Sequence, residues 1–189
     1  MKKKLGAKDI LFPIPIALVV SGTEHNINII SIAWIGIVGS NPPAIGISLR
    51  DNRYSLELIR QTNEFTINIP STKDMVKADY CGLVSGKNTN KFSDTNYTAL
   101  KSNKVKPPII KECPYNIECK VIKEVEVGEW ILIIGEILET HIDEDKMENN
   151  QISIKKVDPL VYVPTIREYW SIGKLLGKSF NIGKKMLNK

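Results

Sequence analysis

Between Glu118 and Thr140 lie two β-prone runs, Glu118–Val127 and Trp130–Thr140, parted only by Gly128-Glu129. That spacing reads as a β-hairpin. A lone hairpin is marginal in water, so further strands must flank it. Other short runs can supply them: Ile16–Val20, Asn28–Trp34, Ala44–Leu49 after the breaker Asn41-Pro42-Pro43, Phe65–Ile69 ending at Pro70, and Tyr162-Val163. Helical signals are fewer. Arg53–Gln61 follows an Asn52 cap, and Ser71-Thr72-Lys73-Asp74 reads as a capping box opening Thr72–Leu83. A third helix is expected over Arg167–Leu176, with Trp170, Leu175 and Leu176 on its apolar side. Ser85–Pro108 is polar and loop-like. Short strands with helices inserted between them predict a mainly β barrel rather than a βαβ array.

The chain has 189 residues, 42% of them hydrophobic, enough for one domain with a real core. Its formal net charge is +5. Five lysines and no acid lie between Lys174 and Lys189, which accounts for the whole excess. The expected organisation is therefore a domain over residues 1–173 and a basic tail over 174–189. The tail reads as a solubilising accessory, and no basic face is left for nucleic acid. Cys81, Cys113 and Cys119 contain no C-x-x-C, which fits a reducing, cytoplasmic setting. Met1-Lys-Lys-Lys4 imitates a signal peptide, but Asp9, Pro13 and Pro15 interrupt the apolar run that follows. No run reaches the ~18 apolar residues of a membrane span.

Several chemistries are excluded by inventory. His25 and His141 stand at no metal-ligand spacing from each other or from a cysteine. There is no G-x-S-x-G elbow and no G-x-G-x-x-G. Gly173-Lys-Leu-Leu-Gly177-Lys178-Ser179 resembles a phosphate loop but has three residues between its glycines where four are needed. The sequon Asn96-Tyr97-Thr98 has no secretory context. Chemistry in such a chain would have to come from a cofactor.

Two stretches point to one. In Ser48-Leu49-Arg50-Asp51-Asn52-Arg53-Tyr54-Ser55 a strand ends, a tight turn follows and a helix begins. Free N–H groups at a helix start favour an anion, and arginine there opposes the dipole unless an anion joins it. Charge-assisted arginine–phosphate contacts would explain the cluster. Two solvated arginines pairing with Asp51 or Glu57 would explain it equally. In Asn28–Trp34, period two puts Asn28, Ile30, Ile32 and Trp34 on one face and Ile29, Ser31, Ala33 and Ile35 on the other. Small Ser31 and Ala33 would let a flat ring approach the backbone; an ordinary core strand has the same pattern.

At these residues the sequence resembles the flavin reductase-like, FMN-binding split-barrel family, especially its flavoredoxin-like branch. The resemblance runs from about Pro15 to about Gly173 and follows the family's order: Pro15–Val20, Asn28–Trp34, Asn41-Pro42-Pro43, Arg53-Tyr54-Ser55, Glu64-Phe65, Asn68-Ile69-Pro70, Cys81-Gly82, Ser85-Gly86 and Lys91-Phe92. Asn41 and Asn90 stand where the family usually has aspartate. The resemblance implies a split barrel holding FMN in a groove at a homodimer interface. Ser31, Ile32, Ala33 and Trp34 would line the ring. Arg50, Arg53, Tyr54 and Ser55 would hold the phosphate, with Ser48 and Leu49 in the same cofactor-binding segment. Cys81 would sit near the site, and Lys91 would approach the cofactor, from the partner subunit in one reading.

Two functions follow from that implication. One is a flavoprotein oxidoreductase that takes hydride from NAD(P)H, or electrons from a protein donor, through bound FMN. The other is a non-catalytic FMN-binding module for electron carriage or storage. A bulky residue such as Trp34 or Tyr162 folded over the ring would block direct hydride transfer.

Overall fold

A computed structural model describes residues 1–23 and 25–187. Glu24 and the last two residues of the expected tail, Asn188 and Lys189, lie outside the described residues. Seven strands form the main sheet: β1 (Ala17–Thr23), β2 (Asn26–Ile32), β3 (Ile35–Ser40), β4 (Pro43–Arg50), β5 (Glu64–Ile69), β6 (Tyr115–Val127) and β7 (Trp130–Ile142). Their order is β2-β1-β5-β6-β7-β4-β3, antiparallel at every pairing. The two edge strands, β2 and β3, are consecutive in sequence. Only Ala33 and Trp34 join them, so the sheet must curl until its edges meet. Ser48 N–H of β4 donates to the Trp34 carbonyl at 2.9 Å and fastens that closure. The fold is mainly β and of the split-barrel type.

The closure corrects the expectation of one strand over Asn28–Trp34. β2 stops at Ile32, and the chain turns at Ala33-Trp34. Ile32 stays in the core at 7% exposure, whereas Trp34 is 42% exposed and has left the face it was expected to share. The inner layer holds Phe65, Ile45, Ile47, Leu49, Ile131 and Ile133, with Leu56 and Ile59 from helix α1 (Tyr54–Thr62). The outer layer packs Leu18, Val20, Ile29 and Ala33 under helix α2 (Met75–Leu83) and helix α3 (Lys91–Thr95). β1 is buried on both faces, which is why it reads as an unbroken apolar run. At Gly135 a Cβ would lie 2.6 Å from the Phe65 ring, so only glycine lets the ring fill the barrel there.

Other local expectations change in detail. Arg53, not Asn52, caps α1, and no side chain bonds the cap. A 3-10 turn, Thr72–Asp74, precedes α2; Ser71 Oγ donates to Asp74 Oδ2 at 3.1 Å instead of capping an N–H. The polar stretch Ser85–Pro108 contains α3, which Asn90 caps by accepting from Ser93 N–H at 3.2 Å. Asn90 is thus a side-chain N-cap, of the residue type favoured there. The expected helix over Arg167–Leu176 is absent. Arg167 takes a left-handed φ of 57°, and the chain instead forms β8 (Val161–Val163) and β9 (Glu168–Trp170), which pair with each other beside Ile14-Pro15. No described helix is long and apolar enough to cross a membrane.

The loop before β6 hangs on one buried carboxylate. Glu118 accepts from the backbone N–H groups of Asn103, Lys104 and Val105 and meets His141 Nε2 at 2.7 Å. Burial pushes this carboxyl up, but the Asn103 and Lys104 donors and His141 outweigh it and hold the acid below the ordinary range. A depressed acid stabilises above the unfolded carboxyl's titration near ~4.3, and the contribution is lost as pH falls through the folded value. Glu118→Gln should therefore cost about 1.5–3 kcal/mol at neutral pH in urea unfolding. The gap to the parent should narrow as the pH falls below ~4; a gap that stays constant from neutrality to acid would contradict the clamp.

Candidate functional site

Two adjoining cavities lie where the sheet closes. The larger, about 270 Å³, is walled by the Ile30–Trp34 segment, by Ser48, Leu49 and Arg50 of β4, and by Arg53. Across it stand Asp79, Gly82 and Leu83 of α2, with Trp130, Tyr162 and Tyr169. The smaller, about 50 Å³, opens between the start of α1 and the end of α2, and shares Ile30, Arg53 and Gly82 with the larger. Every residue that the sequence singles out as cofactor-binding lines one or both. Ser31, Ile32, Ala33, Trp34, Ser48, Leu49 and Arg50 line the larger; Tyr54, Ser55, Cys81 and Lys91 line the smaller; Arg53 lines both.

The small cavity is cationic. Its lining contains Arg53 and Lys91 and no carboxylate. Lys91 is only 4% exposed, and its Nζ donates to the carbonyls of Ile29 and Cys81 at 2.7 Å each. Burial and the nearby Arg53 charge pull its pKa down, with the Cys81 group opposing. A buried ammonium without a counter-ion is costly. Lys91 reaches this cavity from its own chain, because α3 packs against β2 beside α2; no second copy is needed to bring it there. Ser55 Oγ accepts from Asn28 Nδ2 at 2.8 Å, and the Tyr54 hydroxyl donates to Asn26 Oδ1 at 2.6 Å, so the start of α1 is tied to β2. At Gly86 a Cβ would lie 2.0 Å from the Asn28 side chain, so the loop after α2 can pass only as glycine.

The two arginines part company. Arg53 forms no ion pair among the described residues, and Glu57 pairs with Lys87 instead. Arg50 does not reach the small cavity. It lies 5.3 Å over the Trp130 ring and 3.6 Å from Glu129, at the rim of the larger cavity. Trp34 packs on Trp130 at 5.0 Å, and Tyr162 on Tyr169 at 5.4 Å. The Tyr169 hydroxyl donates to Asp79 Oδ1 at 2.8 Å, bridging β9 and α2 across the larger cavity. Trp130, Tyr169 and Asp79 are not among the residues the sequence singles out. Trp130 had a signal, since a hairpin turn at Gly128-Glu129 sets it opposite Arg50. Asp79 and Tyr169 stand 90 positions apart and carry none.

Known proteins of the same build can now be compared. The family model for the flavin reductase-like domain matches residues 10–171, so the chain belongs to that family. A protein of Archaeoglobus fulgidus is 38% identical over 151 residues, 78% of this chain and 83% of that one. Among solved structures, the flavoredoxin of Desulfovibrio vulgaris (Miyazaki F) overlaps with a TM-score of 0.92 at 38% identity, over 97% of this chain and 100% of that one. A flavoredoxin from Methanosarcina acetivorans overlaps with a TM-score of 0.91 at 29% identity, over 98% and 100%. Overlaps so complete extend past Gly173 into the basic end. The chain is thus of a flavoprotein and flavin-linked oxidoreductase family.

Cys81 offers little chemistry. Burial pushes its thiol up to about 11, with the Lys91 charge opposing. Cys119 is raised to about 12 and Cys113 is also raised well above the ordinary range, both chiefly by burial. A thiol reagent at about pH 8 should therefore label none of the three within minutes in the folded protein and all three in denaturant. Rapid labelling of Cys81 without denaturant would mean that the thiol is open to the cavity.

Proposed function

We propose that the protein is an FMN-binding oxidoreductase. The observation that carries this reading is the small cavity with two cations, no acid and a buried, uncompensated Lys91. A terminal phosphate dianion satisfies both cations, and FMN carries one. That favours FMN. Arg53, Lys91 and Ser55 take the phosphate, with Tyr54 at its side. The larger cavity takes the ring between the small Ser31 and Ala33 side and the Trp34–Trp130 pair.

Bound FMN supplies the redox chemistry, accepting hydride or single electrons and passing them on. The protein's part is position and access. Ser48 N–H fixes the Trp34 carbonyl, which holds the strand turn beside the ring. Trp34 and Tyr162 are each held by an aromatic neighbour along the walls, which leaves an approach for a nicotinamide. With no nucleotide fingerprint in the chain, NAD(P)H gains little from the protein. Its Michaelis constant falls in the upper part of the usual ~1 μM–1 mM range.

A homodimer completes this reading. On the outer face of β3 and β4, Gly36 pairs with Gly46 and leaves a flat apolar surface beside Val38 and Leu132. Ile37 and Val38 are exposed there, beside a second cavity of about 260 Å³ that reaches Trp34. A second copy of the same face covers it at the lowest cost in new surface.

FMN should bind more tightly than riboflavin, which lacks the phosphate. Arg53→Ala should weaken FMN by about 1.5–3 kcal/mol in titration while leaving riboflavin nearly unchanged. Equal losses for both ligands would remove the phosphate assignment. In stopped flow, NADH or NADPH should bleach the flavin band directly. If neither does, and a ferredoxin-like donor reduces the protein fully, the hydride route gives way to electron carriage.

A further inference from the structure

The larger cavity holds one acid that neither the phosphate contacts nor the sheet closure requires. Asp79 lies on α2, one turn before Leu83, and is the single carboxylate among the side chains that wall this cavity. It is half-buried and forms no ion pair among the described residues. The two cations on the facing wall are engaged elsewhere. Arg50 lies 3.6 Å from Glu129, and Arg53 also lines the small cavity.

The surroundings of Asp79 are aromatic and apolar. The Tyr169 hydroxyl donates to its Oδ1 at 2.8 Å, and Tyr162, the cross-strand neighbour of Tyr169, packs on that ring at 5.4 Å. Trp34, Trp130, Ile30 and Leu49 stand on the other walls. Burial, and then the bond to Asp79, push the Tyr169 phenol above its ordinary range, so it stays a donor and fixes the carboxylate in place. A half-buried carboxylate without a cation costs desolvation and adds little to stability. Its field reaches whatever occupies the cavity, because walls of this kind screen a charge less than water does.

We propose that Asp79, positioned by Tyr169, sets the redox preference of the larger cavity by weakening the reduced, anionic form of a bound flavin ring relative to the oxidised, neutral form. The inference rests on the reading of this cavity as the flavin site. The oxidised ring is uncharged, whereas the reduced ring is an anion near neutrality. The phosphate has the same charge in both forms, so Arg53 and Lys91 hold it alike. Of the charges that line the ring cavity, Asp79 is the one that neither a residue nor the phosphate balances. A site that disfavours the reduced form lowers the reduction potential of the flavin by the same coupling free energy. Asp79 thus makes the bound flavin a stronger electron donor than the cations alone would allow.

Anaerobic titration of the full chain with FMN, once oxidised and once reduced by excess dithionite, tests this. It gives two dissociation constants each for the parent, Asp79→Asn and Tyr169→Phe, and the readout is the ratio of reduced to oxidised. Asp79→Asn keeps the shape and the acceptor for Tyr169 but removes the charge. Its ratio should fall about tenfold, equal to a rise of about 30 mV for a two-electron couple. Riboflavin should show the same fall, because the effect acts on the ring and not on the phosphate. Tyr169→Phe keeps the charge and should move the ratio less than half as far. An unchanged ratio in Asp79→Asn would overturn the inference. So would both dissociation constants rising together in the two variants, which is the pattern of a brace for the cavity wall. A parent that binds no flavin in either state fails the cofactor reading itself, and the inference with it; a parent that binds flavin while Asp79→Asn leaves the ratio unmoved fails the inference alone.

Discussion

Everything in this molecule is arranged around the closure of one sheet on itself at Ala33-Trp34. Two strands adjacent in sequence form the opposite edges of a seven-stranded sheet, and two residues must span the join. The geometry forces three things. The strand has to break, so the Trp34 carbonyl turns to the Ser48 amide. The side chains near the break that face α2 are small, Ser31 and Ala33. And the join leaves a gap between β2, β4 and α2 that side chains do not fill. The larger cavity is that gap. The proposed cofactor site therefore results from how the barrel closes.

Electrostatics sets the polarity of the gap. At one end stand Arg53 and Lys91 with no acid between them; at the other the single carboxylate, Asp79, already accepts from Tyr169. Buried polar atoms elsewhere are mostly matched: Glu118 has its amides and His141, and Asn68 bonds Leu18, Ile110 and Asn116. Lys91 stands out against that background because its partners are carbonyls, which solvate an ammonium but do not neutralise it. The buried hydroxyls of Ser21 and Tyr97 lack partners too, but Lys91 differs from them in carrying a charge, which an anionic ligand would balance.

Much of this was legible in the sequence, for reasons tied to particular residues. The hairpin at Gly128-Glu129 and the doubly buried β1 follow from local chemistry and side-chain period. The arginine cluster could be found because turn, helix start and charge fall within eight residues. What escaped depends on pairing at a distance. The break after Ile32 is imposed by β4, not by the local sequence, which alternates smoothly through Trp34. The stretch after Arg167 has a helical pattern but takes strand form, because Tyr169 finds Tyr162 and Asp79 far away in the chain.

The irregularity in β3 has a consequence for the fate of the free edge. Between Ile37 and Gly39 the register of β3 on β4 slips, so the strand carries a bulge where its outer side chains are most apolar. A straight apolar edge is a template on which further chains can stack, ladder upon ladder, into fibrils. The bulge bends the edge and interrupts its row of amides and carbonyls. An edge of this shape is a poorer template for strand addition than a straight one, which lowers the hazard of exposing Ile37 and Val38 on it.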